Sequence, residues 1–193
     1  MIKDILLNFN WVDVLIICLL VRIVFVGAKS NIFVEILGLL GDLCSTFVTL
    51  HYYGRFGDWL NKNVFLPEAI QDLFAFILIV LTVKVIFKLI LNGWSLVFKV
   101  DVQTGPNEWG SAIVAAVRGV IICGLLFVFL MLSGNDYVKQ TSRQSFTGFY
   151  LTDFSSRVYR LMHEGIVSRF FPDEPINDRV FDLDKSKDHK GKK

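Results

Sequence analysis

The chain has 193 residues, 53% of them hydrophobic and 20% charged, and its mean hydropathy is +0.53. A soluble domain carries about 45–50% apolar and about 25% charged residues. This composition therefore excludes a disordered chain, a disulfide scaffold and an ordinary soluble enzyme, and indicates a small integral membrane protein. The net charge of +2 lies beyond residue 135, because residues 1–135 hold nine Lys/Arg and nine Asp/Glu while 136–193 hold eleven and nine. Such a surplus is too small for a nucleic-acid partner.

Four long apolar segments follow one another: about 5 or 11 to 26, 32–50, 73–91 and 111–132. Each approaches the roughly 20 residues that cross about 30 Å of hydrocarbon, and none contains proline. Backbone polar groups in lipid must be satisfied within the segment, so each is expected to be a helix. The first has no small-residue cleavage site behind it and reads as a retained span rather than a signal peptide. The connections are turn-forming: Gly27 to Asn31 is a tight hairpin, 54–70 carries Gly54, Gly57 and Pro67, and 92–110 carries Asn92-Gly93 and Gly105-Pro106-Asn107. Trp11, Tyr52, Tyr53, Trp59, Trp94 and Trp109 fall near span ends, as an interfacial aromatic belt does. Cys18, Cys44 and Cys123 lie singly in apolar stretches and read as small hydrophobes rather than bridges or metal ligands.

Beyond the fourth span, Phe154, Val158, Leu161, Met162, Ile166, Phe170 and Phe171 recur every three to four residues, with Arg157, Arg160, His163 and Glu164 between them. This predicts an amphipathic helix over 154–171, lying in the membrane interface or against the bundle, and ended by Pro172 and Pro175. The charged remainder is expected to be disordered. The fold class is thus all-α: a four-helix transmembrane domain over 1–135, a juxtamembrane amphipathic segment over 136–171 and a tail over 172–193.

Charged residues inside or at the edges of the spans are Asp13, Arg22, Lys29, Glu35, Asp42, Lys84, Lys88 and Arg118. A charge near the bilayer centre costs roughly 2.5–3.5 kcal/mol on insertion scales, so it is expected to pair, snorkel or line water. Counting from the 27–31 hairpin at 1.5 Å per residue puts Arg22, Glu35 and Lys88 about 6 Å deep, Lys84 and Arg118 about 12 Å, and Asp42 about 17 Å. Six charges from four helices share one half of the bilayer. Glu35 and Asp42 are therefore expected to pair with some of Arg22, Lys84, Lys88 and Arg118, or Arg22, Glu35 and Lys88 snorkel to headgroups. Small residues at Ser111, Ala115 and Gly119, and at Gly38 and Gly41, predict close helix packing.

These residues together resemble the colicin V production protein (CvpA) family over about residues 10–160. Gly27, Asn31 and Glu35 follow its hairpin pattern, with Asn31 where a second glycine is usual. His51-Tyr52-Tyr53 followed by Trp59 is similar to the end of its second helix, and Ser111, Ala115, Arg118 and Gly119 to its fourth. Asn107-Glu108 stands where an Asp-Arg pair is usual. The resemblance implies a multi-pass bacterial inner-membrane protein linked to colicin V production or secretion and to envelope homeostasis, without catalytic chemistry. Relatives with an extracytoplasmic C-terminal protease domain favour termini on the extracytoplasmic side. The positive residues near the two faces, six against five, decide little by themselves.

The histidines, His51, His163 and His189, have no metal-ligand spacing, and no GxSxG or P-loop is present. Ser142, Ser145 and His163 read as part of a solvated helix rather than a nucleophile and base. No enzyme, cofactor or metal is expected. The partners expected are the lipid bilayer, a second copy of the chain or another membrane protein. Three classes of function remain: an accessory to toxin production or envelope integrity, a small oligomeric transporter or channel built on the charged cluster, and a scaffold that recruits a partner.

Overall fold

The computed structural model describes residues 9–64, 67–97 and 108–181. Among them there are helices and turns and no strand. Four helices are long and apolar enough to cross a membrane: α1 (Trp11–Ala28), α2 (Ile32–Asn63), α3 (Glu68–Val97) and α4 (Glu108–Leu132). Three shorter ones follow, α5 (Asp136–Gln144), α6 (Phe146–Met162) and α7 (Ser168–Phe170), with a π-helical turn at His163–Val167 between the last two.

Local chemistry starts these helices. Asn10 caps α1 by accepting from Val12 N at 2.9 Å, while Asp13 accepts from Asn10 N at 3.0 Å, closing a capping box. Asn31 caps α2, accepting from Phe33 N at 2.9 Å. The residue that departs from the family's glycine thus has a job of its own: it supplies an acceptor to an orphan amide at the tight hairpin.

The second connection is shorter than the sequence suggests. Residues 54–63 continue α2 instead of forming a loop. At 32 residues and 1.5 Å each, α2 is about 48 Å long and exceeds the hydrocarbon thickness. Gly54 and Gly57 serve close approach rather than a turn. A Cβ on Gly57 would collide with the Asp72 carboxylate, and one on Gly54 would lie 3.0 Å from Arg179 Cδ. The same correction applies to α3, which extends over 68–72 and 92–97 beyond the expected span.

α1 packs mainly on α4 and α2 mainly on α3, while α2 also packs on α4; α3 and α4 touch only sparsely. Ser111 and Ala115 are buried, and a Cβ on Gly27 would collide with that of Ala115, so backbones of α1 and α4 approach closely there. Gly119 meets Ile23 at an ordinary 3.5 Å. Gly38 and Gly41 make room for side chains instead: Gly41 for the Phe87 ring and Gly38 for the Arg118 guanidinium. Cys123 packs in the α1–α4 core with Val12, Ile16, Phe127 and Met131.

The C-terminal part lies against the bundle. α6 presents Leu151, Thr152, Ser155, Ser156 and Tyr159 inward, joined by His163, a face of mostly small and polar side chains. Of the apolar stripe read from sequence, Leu161 and Phe171 are exposed at 69% and 67%. Phe154, Val158 and Met162 are half-buried, so the stripe is divided between the bundle and the outside, and close packing against α4 falls to small residues, as where a Cβ on Gly124 would lie 2.6 Å from Ser155 Oγ. The helix begins at Phe146, earlier than expected, because Ser145 caps it by accepting from Gly148 N at 2.9 Å.

Disorder from residue 172 is also corrected. Residues 172–181 pack across the end of α2, with Val180 1% exposed in a cluster with Leu50, Tyr53, Phe76 and Tyr159. The remainder of the tail, 182–193, lies outside the described residues, as do residues 1–8 and the Gly105-Pro106-Asn107 turn.

Candidate functional site: an ionic network inside the membrane

Glu35 and Asp42 are seven residues apart on α2, two turns on one face. Both are buried. Arg118 reaches them from α4: its Nε donates to Asp42 Oδ2 at 2.5 Å and its Nη1 to Glu35 Oε2 at 3.1 Å. Lys84 from α3 pairs with the other oxygen of Asp42. Three helices are thus tied by two carboxylates and two cations, a set with no net charge. The guanidinium lies across the α2 backbone at Gly38, where a Cβ would come within 2.8 Å of Nη1. A planar fork with several donors can serve two carboxylates at once, which an ammonium does less well.

Of the six charged residues singled out from sequence, the structure brings these four together. Arg22 and Lys88 are exposed, and none of the ion pairs among the described residues includes them. Lys29 at the hairpin lies over the Phe25 ring at 4.1 Å. Beside the network, toward the opposite membrane face, the sparse α3–α4 contact leaves a cleft of about 320 Å³. Its walls are apolar, from Phe76, Val80 and Leu81 on α3 and Ile122, Leu125 and Phe129 on α4, and its polar groups are Asp42, Thr46 and Lys84. The buried hydroxyls of Ser45, Thr46 and Thr49, one and two turns from Asp42, have no hydrogen-bond partner.

Two further nodes lie at the membrane face opposite the hairpin, and sequence reasoning missed both. Asp13, fully buried, accepts from Thr147 N at 2.8 Å, Thr147 Oγ1 at 2.6 Å and Phe146 N at 3.3 Å, besides Asn10 N. One carboxylate thereby neutralises the positive ends of α1 and α6. The Asn10-to-Asp13 spacing is a capping-box signal that could have marked the first helix start, but nothing local to it marks the second.

At the second node, His51 Nδ1 lies 2.9 Å from the Tyr159 hydroxyl and its Nε2 3.2 Å from Glu174 Oε1. The same Glu174 oxygen pairs with Arg55. Asn177 N donates to the Tyr159 hydroxyl at 2.9 Å and its side-chain amide to Leu50 O at 2.7 Å. Arg179 holds Asp58 at 2.9 Å and Asp72 at 3.3 Å. Hydrogen bonds from Arg55 and His51 hold the Glu174 carboxyl below its ordinary range. Asp58 pushes the Arg179 guanidinium further up, and burial raises the Tyr159 phenol.

Ser142, Ser145 and His163, expected in a solvated helix, are instead buried, and the Ser142 hydroxyl and His163 Nε2 have no hydrogen-bond partner among the described residues. Ser145 Oγ donates to Ser142 O at 2.8 Å while capping α6, and the His163 ring sits 5.8 Å from that of His51. Among the described residues no group of three or more His, Cys, Asp or Glu side chains could hold a metal ion.

An all-α, four-span architecture with a charge-balanced network at its centre defines a multi-pass membrane protein whose helices are joined by buried ion pairs. The family model described as Colicin V production protein matches residues 12–156, and the chain belongs to that family. The family is not known as enzymatic. No curated protein and no solved structure matches the chain.

Proposed function

We propose that this protein is a non-enzymatic component of the bacterial inner membrane that supports the production or secretion of colicin V-type toxin, or envelope homeostasis more broadly, with its termini on the extracytoplasmic side. The observation that carries this reading is membership of the colicin V production family over most of the chain. The polar chemistry supports it. Buried carboxylates and cations hold helices to one another, and the serine and histidine hydrogen bonds hold turns and the C-terminal segment. The test is a deletion strain assayed for toxin secretion and for growth in bile salts, complemented with the intact gene or with Asp42→Asn. Restoration by the intact gene alone supports a role that depends on the network; a deletion strain indistinguishable from its parent in both assays removes the reading.

A second reading, a small oligomeric transporter or channel, is favoured by one observation: Asp42 and Lys84 sit at the deep end of the α3–α4 cleft, beside hydroxyls without partners. Four helices enclose little space by themselves, so a second copy would complete a path. Solute flux into proteoliposomes that disappears with Asp42→Asn supports this alternative; wild-type vesicles no leakier than empty ones exclude it.

A further inference from the structure

The cleft between α3 and α4 has an unusual chemistry for a surface facing hydrocarbon. Its walls are aliphatic and aromatic, yet Lys84 and Thr46 open into it. The Lys84 side chain is 40% exposed. An ammonium carries three N–H donors, and Asp42 is the only ion partner given to this one among the described residues. Thr46 is 3% exposed and its hydroxyl has no partner. A buried hydroxyl without a partner signals a missing water, ion or ligand. The lining offers two donors, the Lys84 ammonium and the Thr46 hydroxyl, while each oxygen of its one carboxylate, Asp42, already meets a cation, Lys84 or Arg118.

Charge points the same way. Lys88 lies one turn beyond Lys84 on the same side of α3 and has no ion partner among the described residues. Lys84, Lys88 and Arg118 stand against Glu35 and Asp42, which leaves one positive charge along this seam. The volume of about 320 Å³ falls at the lower end of small-molecule sites, which combine apolar walls with a few convergent polar groups. It holds on the order of ten heavy atoms, taking about the 30 Å³ that one water occupies in the liquid, so a longer acyl chain would leave the cleft partway and end in the bilayer.

We propose that the α3–α4 cleft is a binding site for a single-chain amphipathic carboxylate dissolved in the membrane, a fatty-acid-like molecule. Its carboxylate accepts hydrogen bonds from Lys84 and Thr46, and its chain runs between Val80 and Leu81 on one wall and Leu125 and Leu126 on the other. Lys88 supplies the compensating charge. The ligand enters sideways from the bilayer, because the cleft lies between two membrane-crossing helices that touch sparsely.

The test uses the full chain in phosphatidylcholine nanodiscs with a palmitic acid carrying a mid-chain diazirine, and maps the photolabelled residues by mass spectrometry. Labelling is expected on α3 and α4 around Leu81 and Leu126. Unlabelled palmitate should compete; hexadecane should not. Thr46→Val and Lys84→Met should each lower labelling at least fivefold. Lys84→Met removes one partner of Asp42, so Leu126→Trp, which fills the cleft without touching the network, serves as the independent variant and should abolish labelling there. Labelling spread evenly over the lipid-facing helices, or unchanged in Leu126→Trp, overturns the proposal. Equal labelling by a diazirine phosphatidylcholine or competition by hexadecane also overturns it, since the cleft would then hold bare acyl chain.

Discussion

The bundle uses ion pairs in two places under opposite conditions. In the half of the membrane nearer the hairpin, the Glu35 and Asp42 carboxylates are buried, and with Lys84 and Arg118 they form a neutral set. At the face opposite the hairpin, Arg179 with Asp58 and Arg55 with Glu174 are partly exposed. Exposed pairs contribute about 0–1 kcal/mol, whereas removing one member of a buried pair costs about 3–5 kcal/mol because the other charge stays behind unpaired. The same residue types therefore hold helices together in one region and only trim the fit of a segment in the other. What anchors 172–181 is the burial of Val180 and the hydrogen bonds of Tyr159 and Asn177.

This contrast can be broken at its strong end first. Asp42→Ala leaves Lys84 without its ion partner and Arg118 with Glu35 alone, and is expected to destabilise the bundle by about 3–5 kcal/mol in denaturant titrations in detergent. Glu35→Gln should cost clearly less, because Arg118 keeps Asp42. Equal losses would mean that the two carboxylates do not share one guanidinium.

Asp13→Ala removes an acceptor that four donors converge on. It should cost about 1–3 kcal/mol for buried groups left unsatisfied and speed proteolysis around Phe146. An unchanged cleavage pattern would separate α6 from the first span.

Packing sharpens the comparison next. Gly27→Val forces a Cβ into Ala115 and should cost about 1–3 kcal/mol by overpacking, measured as a fall in Tm. Gly119→Ala adds only an ordinary contact with Ile23 and should leave Tm nearly unchanged.

The smallest effects belong to the exposed end. Arg179→Ala is expected to shift Tm by little, and acid should loosen the segment around Glu174. Its carboxyl is held below the ordinary range, so the contribution of its contacts is complete above the unfolded group's pKa and is lost as pH falls through the lower folded value. Val180→Cys, probed at decreasing pH with 4,4′-dithiodipyridine, whose protonated form still reacts with thiols in acid, should stay protected through mildly acidic conditions and open only below the usual carboxylate range. Opening near neutral pH would mean that Glu174 does not hold the segment.

Much of the central region was legible because lipid restricts the options. Hydropathy and span length place four helices, and depths within one helical turn of each other on α2, α3 and α4 put Asp42, Lys84 and Arg118 within reach of one another. Depth set Arg22, Glu35 and Lys88 apart as residues that could snorkel; Arg22 and Lys88 are exposed, but Glu35 is buried and paired with Arg118. The azimuth of each helix makes that choice, and azimuth follows from which faces pack.

The opposite face was less legible, because water permits many solutions. Glycines that read as turns at Gly54 and Gly57 are points of close approach inside a helix. The stripe containing Leu161 could lie in the membrane interface or against the bundle, and periodicity does not choose between them; Leu161 is exposed while Thr152, Ser155 and Ser156 face the bundle. The charged composition of 172–181 suggested disorder, but Val180, Asn177 and Arg179 each find a partner far away in the chain.

By itself, then, the sequence determined that four apolar stretches become helices in a membrane, that their charges require partners, and that small residues permit close approach. Those consequences follow from the missing hydrogen-bonding capacity of hydrocarbon and need only local spacing. The tertiary structure alone decided which charges meet, which face of α6 is covered, and how one carboxylate, Asp13, serves its own helix end and another that begins 133 residues further along the chain. Each of these depends on the rotation of one helix against another, which side-chain packing sets and local sequence does not encode.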